Sequence, residues 1–171
     1  MVCQARLGVL IVSTKMAQTI KEFWRTYQKS EEGVDGEPYL TDEYGDSPEL
    51  ADELTGLILE GKKTATCCTL YEYEHENEKL PEIGERNIVL NGSNQPVCIT
   101  EVNEVAIVPF IKVGAQFAYE EGEGDCSLES WRREHWKYFS RVLPSIGFEP
   151  NEEMKLVCVR FEVIYQPSAN K

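Results

Sequence analysis

Residues 155–165 set Leu156, Cys158, Arg160 and Glu162 on one side of an extended chain and Val157, Val159, Phe161 and Val163 on the other. A period of two over this length is the signature of a strand, and a strand needs partners. The chain offers them. Pro96–Pro109 reads mostly as strand, and Asn87–Leu90 as a shorter one, with Asn91-Gly92 as the turn signal between the two. Helical spacing appears elsewhere. Ile20, Phe23, Trp24 and Tyr27 predict a helix over 19–29, with Thr19 as its cap. Ser47-Pro48-Glu49 opens a second helix with Leu50, Leu54, Leu57 and Ile58 as its apolar stripe and Gly61 as its stop. Ser127 caps a third through Val142, with Leu128, Trp131, His135, Phe139 and Val142 on one face. Glu31–Gly45 and Glu72–Glu85 read as acidic loops, 64–71 as an extended segment entering a turn or short helix, and 113–119 as a short helix. Strands separated by unequal insertions predict an α+β fold rather than a parallel α/β sheet.

Charge narrows the function classes. Seventeen Lys and Arg stand against thirty Asp and Glu, a net charge of −13. Coating long nucleic acids requires clustered cations, so that class is disfavoured. The deficit is local: residues 31–60 hold eleven acids and no Lys or Arg, and Gly61-Lys62-Lys63 follows at once. The acidic run reads as a solvated face. No apolar run approaches the length of a membrane span: Leu7–Val12 is six residues. Residues 1–15 read as an extension outside the fold, 16–166 as one domain and 167–171 as a tail. The six cysteines form no Cys-x-x-Cys pair and only His75 and His135 could add imidazole, so no metal and no cofactor are expected. Reduced buried thiols and a cytoplasmic location follow from that reading.

Three segments carry candidate chemistry. In Gly61-Lys62-Lys63-Thr64-Ala65-Thr66, a partly desolvated lysine of lowered pKa could take a proton from a nearby hydroxyl, making Thr66 a nucleophile or an orienter; equally, the lysines could simply decorate a helix C-terminus. In Glu120-Glu121-Gly122-Glu123-Gly124-Asp125, four acids between glycines repel one another, which tunes a carboxyl toward acid–base work, or form a solvated loop before a helix. Arg133, Lys137 and Arg141 recur every fourth residue beside Trp136 and Tyr138, a surface for anions or for salt bridges to the acids of 31–60. His135 falls on the apolar stripe and reads as a buried structural histidine.

Together these segments resemble the ASCH domain family, in particular its small bacterial members. The motifs are Leu57-Ile58-Leu59-Glu60-Gly61-Lys62-Lys63-Thr64-Ala65-Thr66, Asn87-Ile88-Val89-Leu90, Glu121-Gly122-Glu123-Gly124-Asp125, Ser127-Leu128 with Trp131, and the strand Leu156–Val163. The resemblance implies a PUA-like mixed or antiparallel β-barrel flanked by helices, with a cleft facing RNA or a nucleoside. It implies a hydrolase, in particular an amidohydrolase that removes the acetyl group of N(4)-acetylcytidine, with Lys63, Thr66 and Glu123 catalytic. Lys62, Thr64, Glu121, Asp125, Arg132, Arg133 and Trp136 are then the expected substrate-binding residues, Arg132 or Arg133 standing in for a family arginine whose place is taken by Cys68. The alternatives are a non-catalytic RNA- or nucleotide-binding module and, third, a ribonuclease. The expected partner is a nucleoside-like ligand or RNA, with neither DNA nor a membrane.

Overall fold

The computed structural model describes residues 4–6, 14–31 and 40–167, with side chains from Thr19 onward. In chain order the elements are β1 (Gln4–Arg6), α1 (Thr14–Ser30), β2 (Leu40–Tyr44), α2 (Pro48–Leu59), β3 (Ala65–Thr69), α3 (Leu70–Glu76), β4 (Arg86–Leu90), β5 (Pro96–Pro109), α4 (Ala115–Glu120), α5 (Leu128–Val142) and β6 (Lys155–Tyr165). Short 3-10 turns follow β5 at Phe110–Lys112 and α5 at Leu143–Ile146.

The strands form one mixed sheet in the order β1-β2-β4-β5-β6-β3. Only β2 and β4 run parallel. The edge strands β1 and β3 approach each other, so the sheet curls into a half-barrel flanked by helices. The fourteen-residue β5 is the spine: it pairs with β4 through its first half and with β6 almost throughout. Register shifts at Ile99/Thr100 and Val102/Glu104 let it serve both, because a bulge bends a strand and increases its twist.

Strand alternation distributes the helices. Ile88 and Leu90 face one way and meet Ile20, Trp24 and Tyr27 of α1. Val89 faces the other way and meets Leu54 and Ile58 of α2, with Tyr44, Cys98 and Phe161. The far end, built on β3 and β6, is covered by Trp131 and Phe139 of α5 with Phe110, Phe117 and Leu143. Helix α2 starts where Ser47 Oγ accepts from Leu50 N at 3.2 Å, and its chain turns away at Gly61, φ 70°. Ser127 Oγ accepts from Ser130 N at 3.1 Å and caps α5.

Two acidic stretches read as loops hold regular structure. Leu40–Tyr44 is a strand beside β4; its polar Thr41, Asp42 and Glu43 conceal it, because the ladder bonds come from the backbone and not from propensity. Leu70–Glu76 is helical because Thr69 and Glu72 close a reciprocal capping box. Helix α1 begins at Thr14 rather than Thr19. Within the segment read as lying outside the fold, Gln4–Arg6 pairs with Asp42–Tyr44 as an edge strand; 1–3, 7–13 and 168–171 lie outside the described residues. Cys67, Cys98, Cys126 and Cys158 are free thiols, whereas Cys68 is disulfide-bonded, so the reading of all six as reduced thiols does not hold there.

Candidate functional site

Two segments almost sixty residues apart run side by side. Thr64 N donates to the Glu120 carbonyl at 2.8 Å, joining the start of β3 to the end of α4. Next to this bond Gly122, φ 70°, lies so close to Lys62 that a Cβ would stand 2.4 Å from the Lys62 carbonyl oxygen. Only glycine permits both that φ and that approach. The contact turns Lys63 inward, where its side chain is fully buried. Its Nζ donates to Glu123 Oε1 at 2.8 Å and to Glu121 Oε2 at 3.1 Å.

Glu121 is the hub. Its Oε1 accepts from Trp131 Nε1 at 3.0 Å, and His135 Nε2 stands 3.5 Å from the same oxygen. The His135 ring is stacked on Trp131, centroids 4.0 Å apart, and its Nδ1 lies 2.9 Å from the Trp131 carbonyl. A carbonyl can only accept, so Nδ1 carries the proton of that bond and Nε2 is turned toward Glu121. Cys67 on β3 completes the group: its Sγ, a Glu121 carboxylate oxygen and a His135 nitrogen all lie within 4.8 Å of one another.

Burial alone would push the Glu121 carboxyl up and the Lys63 ammonium down. The pairing overrides it on both sides. Lys63, then His135 and the Trp131 bond, hold Glu121 well below the usual carboxylate range. Glu123 and Glu121 hold Lys63 above the usual lysine value. The two shifts describe one interaction. Their direction is opposite to the one expected for a lysine that deprotonates Thr66: Lys63 is a fixed ammonium at neutral pH. Burial and the Glu121 charge push the Cys67 thiol well up. Trp131→Phe removes one charge-assisted donor from a buried carboxylate; the expected loss is about 1.5–3 kcal/mol, read by urea denaturation.

The other expected residues are placed as follows. Thr66 is buried and has no hydrogen bond to the cluster; alternation sets it on the face of β3 opposite Cys67. Thr64 joins through its backbone N–H and, at 3.4 Å, its hydroxyl, both on the Glu120 carbonyl. Lys62 is exposed and pairs with Glu60 at 2.7 Å. Asp125 Oδ1 accepts from Ser127 N at 2.9 Å, a loop-shaping bond, and the Ser127 hydroxyl and then this backbone bond lower its pKa. Arg132 reaches the Ile111 carbonyl at 3.0 Å and is spent on the turn after β5. Arg133 bonds Glu134 at 2.8 Å and Ser130 Oγ at 3.1 Å. Trp136 is half-exposed and tilted against Phe110. Lys137 pairs with Glu134 and Arg141 with Asp46, so each cation of the α5 stripe has an acidic partner. The sequence reading missed the roles of Trp131, Cys67 and His135 around Glu121. The only signal was spacing: Trp131 and His135 are one helical turn apart, on the face that α5 buries.

The ASCH domain model matches residues 41–165 of this chain. The chain belongs to the ASCH domain family. A crystal structure of an ASCH domain from Lactobacillus crispatus JV V101 is 31% identical, with a TM-score of 0.83 over 91% of this chain and 100% of that one. Protein EF3133 from Enterococcus faecalis V583 is 34% identical, with a TM-score of 0.77 over 86% of this chain and 89% of that one. No curated protein matches. The curled sheet and its helices are thus a PUA-like α+β fold, one often associated with RNA binding. No helix of this ASCH domain among the described residues is long and apolar enough to cross a membrane.

Proposed function

We propose that this ASCH domain is a hydrolase of a small nucleoside-like amide, with N(4)-acetylcytidine as the substrate to test first. The observation that carries the reading is the buried Lys63 ammonium, clamped between two carboxylates from the Glu-Gly-Glu-Gly-Asp loop. An ammonium fixed in a low-dielectric site is worth more to a developing oxyanion than one in water, and the Lys63 hydrogen that reaches only the Glu121 carbonyl, at 3.4 Å, is the one such an oxyanion would take over. Glu123 is the less enclosed of its partners, its side chain 9% exposed against 2% for Glu121. It therefore takes the proton from the attacking oxygen and returns it to the leaving amine. Glu121 holds Lys63 from behind.

The ion pairing of Arg133, Lys137 and Arg141 supports a nucleoside over a long RNA, since a phosphate backbone would have to displace Glu134 and Asp46. The test is release of acetate from N(4)-acetylcytidine by wild type and Glu123→Gln. Wild type should turn over, and the variant should lose about 10²–10⁴-fold in kcat, the range of general acid–base catalysis. Absence of wild-type turnover removes this substrate; an equally active Glu123→Gln removes Glu123 from the mechanism. A Thr66→Val arm assigns the attacking oxygen: lost turnover gives it to the threonine, retained turnover gives it to water.

A further inference from the structure

Behind the Lys63 pair lies a set of side chains that the hydrolase reading does not use. Cys67 comes from β3 and His135 from α5, and both converge on Glu121, which follows α4. All three are buried. They are a soft thiol, an imidazole and a carboxylate, the three donor types that zinc accepts together.

We infer that Cys67, His135 and Glu121 form a binding site for a single Zn²⁺-class ion. Geometry is the first support. At 3.5 Å, His135 Nε2 and Glu121 Oε1 are too far apart for a good hydrogen bond. Two ligands held about 2.0–2.1 Å from one zinc ion at the tetrahedral angle stand about 3.4 Å apart. The imidazole is also oriented as a ligand. Its Nδ1–H is committed to the Trp131 carbonyl, which leaves the Nε2 lone pair aimed at the convergence point. Trp131 Nε1 and Lys63 Nζ are hydrogen-bonded to the two Glu121 oxygens, the outer-shell support a ligating carboxylate requires.

Charge is the second support. With a neutral His135, Lys63 alone faces two carboxylates, Glu121 and Glu123, so the buried cluster carries one negative charge in excess. Arg160 is spent on Glu120 and Glu104. Zn²⁺ entering with Cys67 as thiolate gives three positive and three negative charges. The balance is one S–Zn bond formed and one thiol proton released to solvent. Three protein ligands leave the fourth tetrahedral position to a water, and the site would tie β3, the end of α4 and α5 together. It does not rest on the hydrolase reading, since Glu123 is outside the ligand set.

The test uses the full chain, stripped with chelator under a thiol-free reductant and titrated with Zn²⁺ by calorimetry and with Co²⁺ by absorption. The expected result is one ion per chain, a thiolate-to-cobalt charge-transfer band with the ligand-field bands of tetrahedral cobalt, and a higher melting temperature with Zn²⁺. Cys67→Ser and His135→Gln should weaken binding by more than the ~10–100-fold that loss of an outer-shell partner costs. Cys98→Ser, a buried thiol in the α2-facing core, should bind like wild type. A wild-type chain with no thiolate-to-cobalt band overturns the site. So does Cys67→Ser binding zinc as tightly as wild type. If Cys67→Ser fails to fold, the wild-type cobalt spectrum decides alone.

Discussion

Lys63→Met should destabilise the protein by about 3–5 kcal/mol at pH 7, the usual cost of removing one member of a buried ion pair. Methionine keeps most of the volume and the unbranched shape, so the loss reports charge and not a cavity. What is left is Glu121 and Glu123 without their cation, in a site where Lys63 was 1% exposed. The pH dependence gives the proposal its sign. In wild type the folded Glu121 pKa lies below the ordinary carboxylate value of 4.5, so its contribution is present above that value and lost as pH falls through the folded pKa. The raised Lys63 pKa contributes below the ordinary lysine value of 10.5 and is lost as pH rises through the folded one. In Lys63→Met burial is no longer opposed by the ammonium, and the folded carboxyls bind protons more readily than the unfolded ones. Acidification from pH 7 to 5 should therefore narrow the gap between variant and wild type. Urea denaturation at the two pH values measures this. A gap below 1 kcal/mol, or one that widens on acidification, would remove the buried pair from the account. The same variant should show no amide hydrolysis.

The second large effect is expected at Gly122. An alanine there must hold φ 70° and place its Cβ 2.4 Å from the Lys62 carbonyl oxygen, with Lys63 N at 3.0 Å. Both neighbours are backbone, so no flexible side chain can yield. Left-handed strain of about 1–2 kcal/mol adds to about 1–3 kcal/mol of overpacking. The segments 62–64 and 120–123 must then part, and the Lys63 bonds to Glu121 and Glu123 lengthen with them. Gly122→Ala should lose about 2–5 kcal/mol by urea denaturation. It should lose hydrolysis as well, although it removes no functional group. Gly147→Ala is the contrast: φ is 86°, but nothing lies within 4 Å of the added Cβ, so only the backbone strain remains. Equal losses at the two glycines would mean that the approach to Lys62 contributes nothing.

The regular elements that were legible in the sequence are those in which side chains decide the conformation. The alternation of 155–165, the stripe of α5 and the Ser47 and Ser127 caps are local signals, and each holds in the fold. What was hidden is structure decided by pairing or by reciprocal caps. Asp42 and Glu43 disfavour a strand, yet lie in β2 because β4 supplies the hydrogen bonds. Helix α3 rests on the Thr69–Glu72 box within a run of acids.

The candidate site divides along the same line. By itself the sequence determined the fold class, the family motifs and the two segments that bear Lys63 and Glu123. Those are properties of residue type and spacing. The tertiary structure alone decided what the residues do to one another. It brought Glu121 under Trp131 and His135 and set Cys67 against it. It reversed the expected lysine chemistry, because two carboxylates in a closed site outweigh the desolvation of one ammonium. It also paired the basic stripe of α5 with Glu134 and, across the fold, with Asp46. A pKa depends on distance and dielectric, and neither quantity exists until the chain has folded.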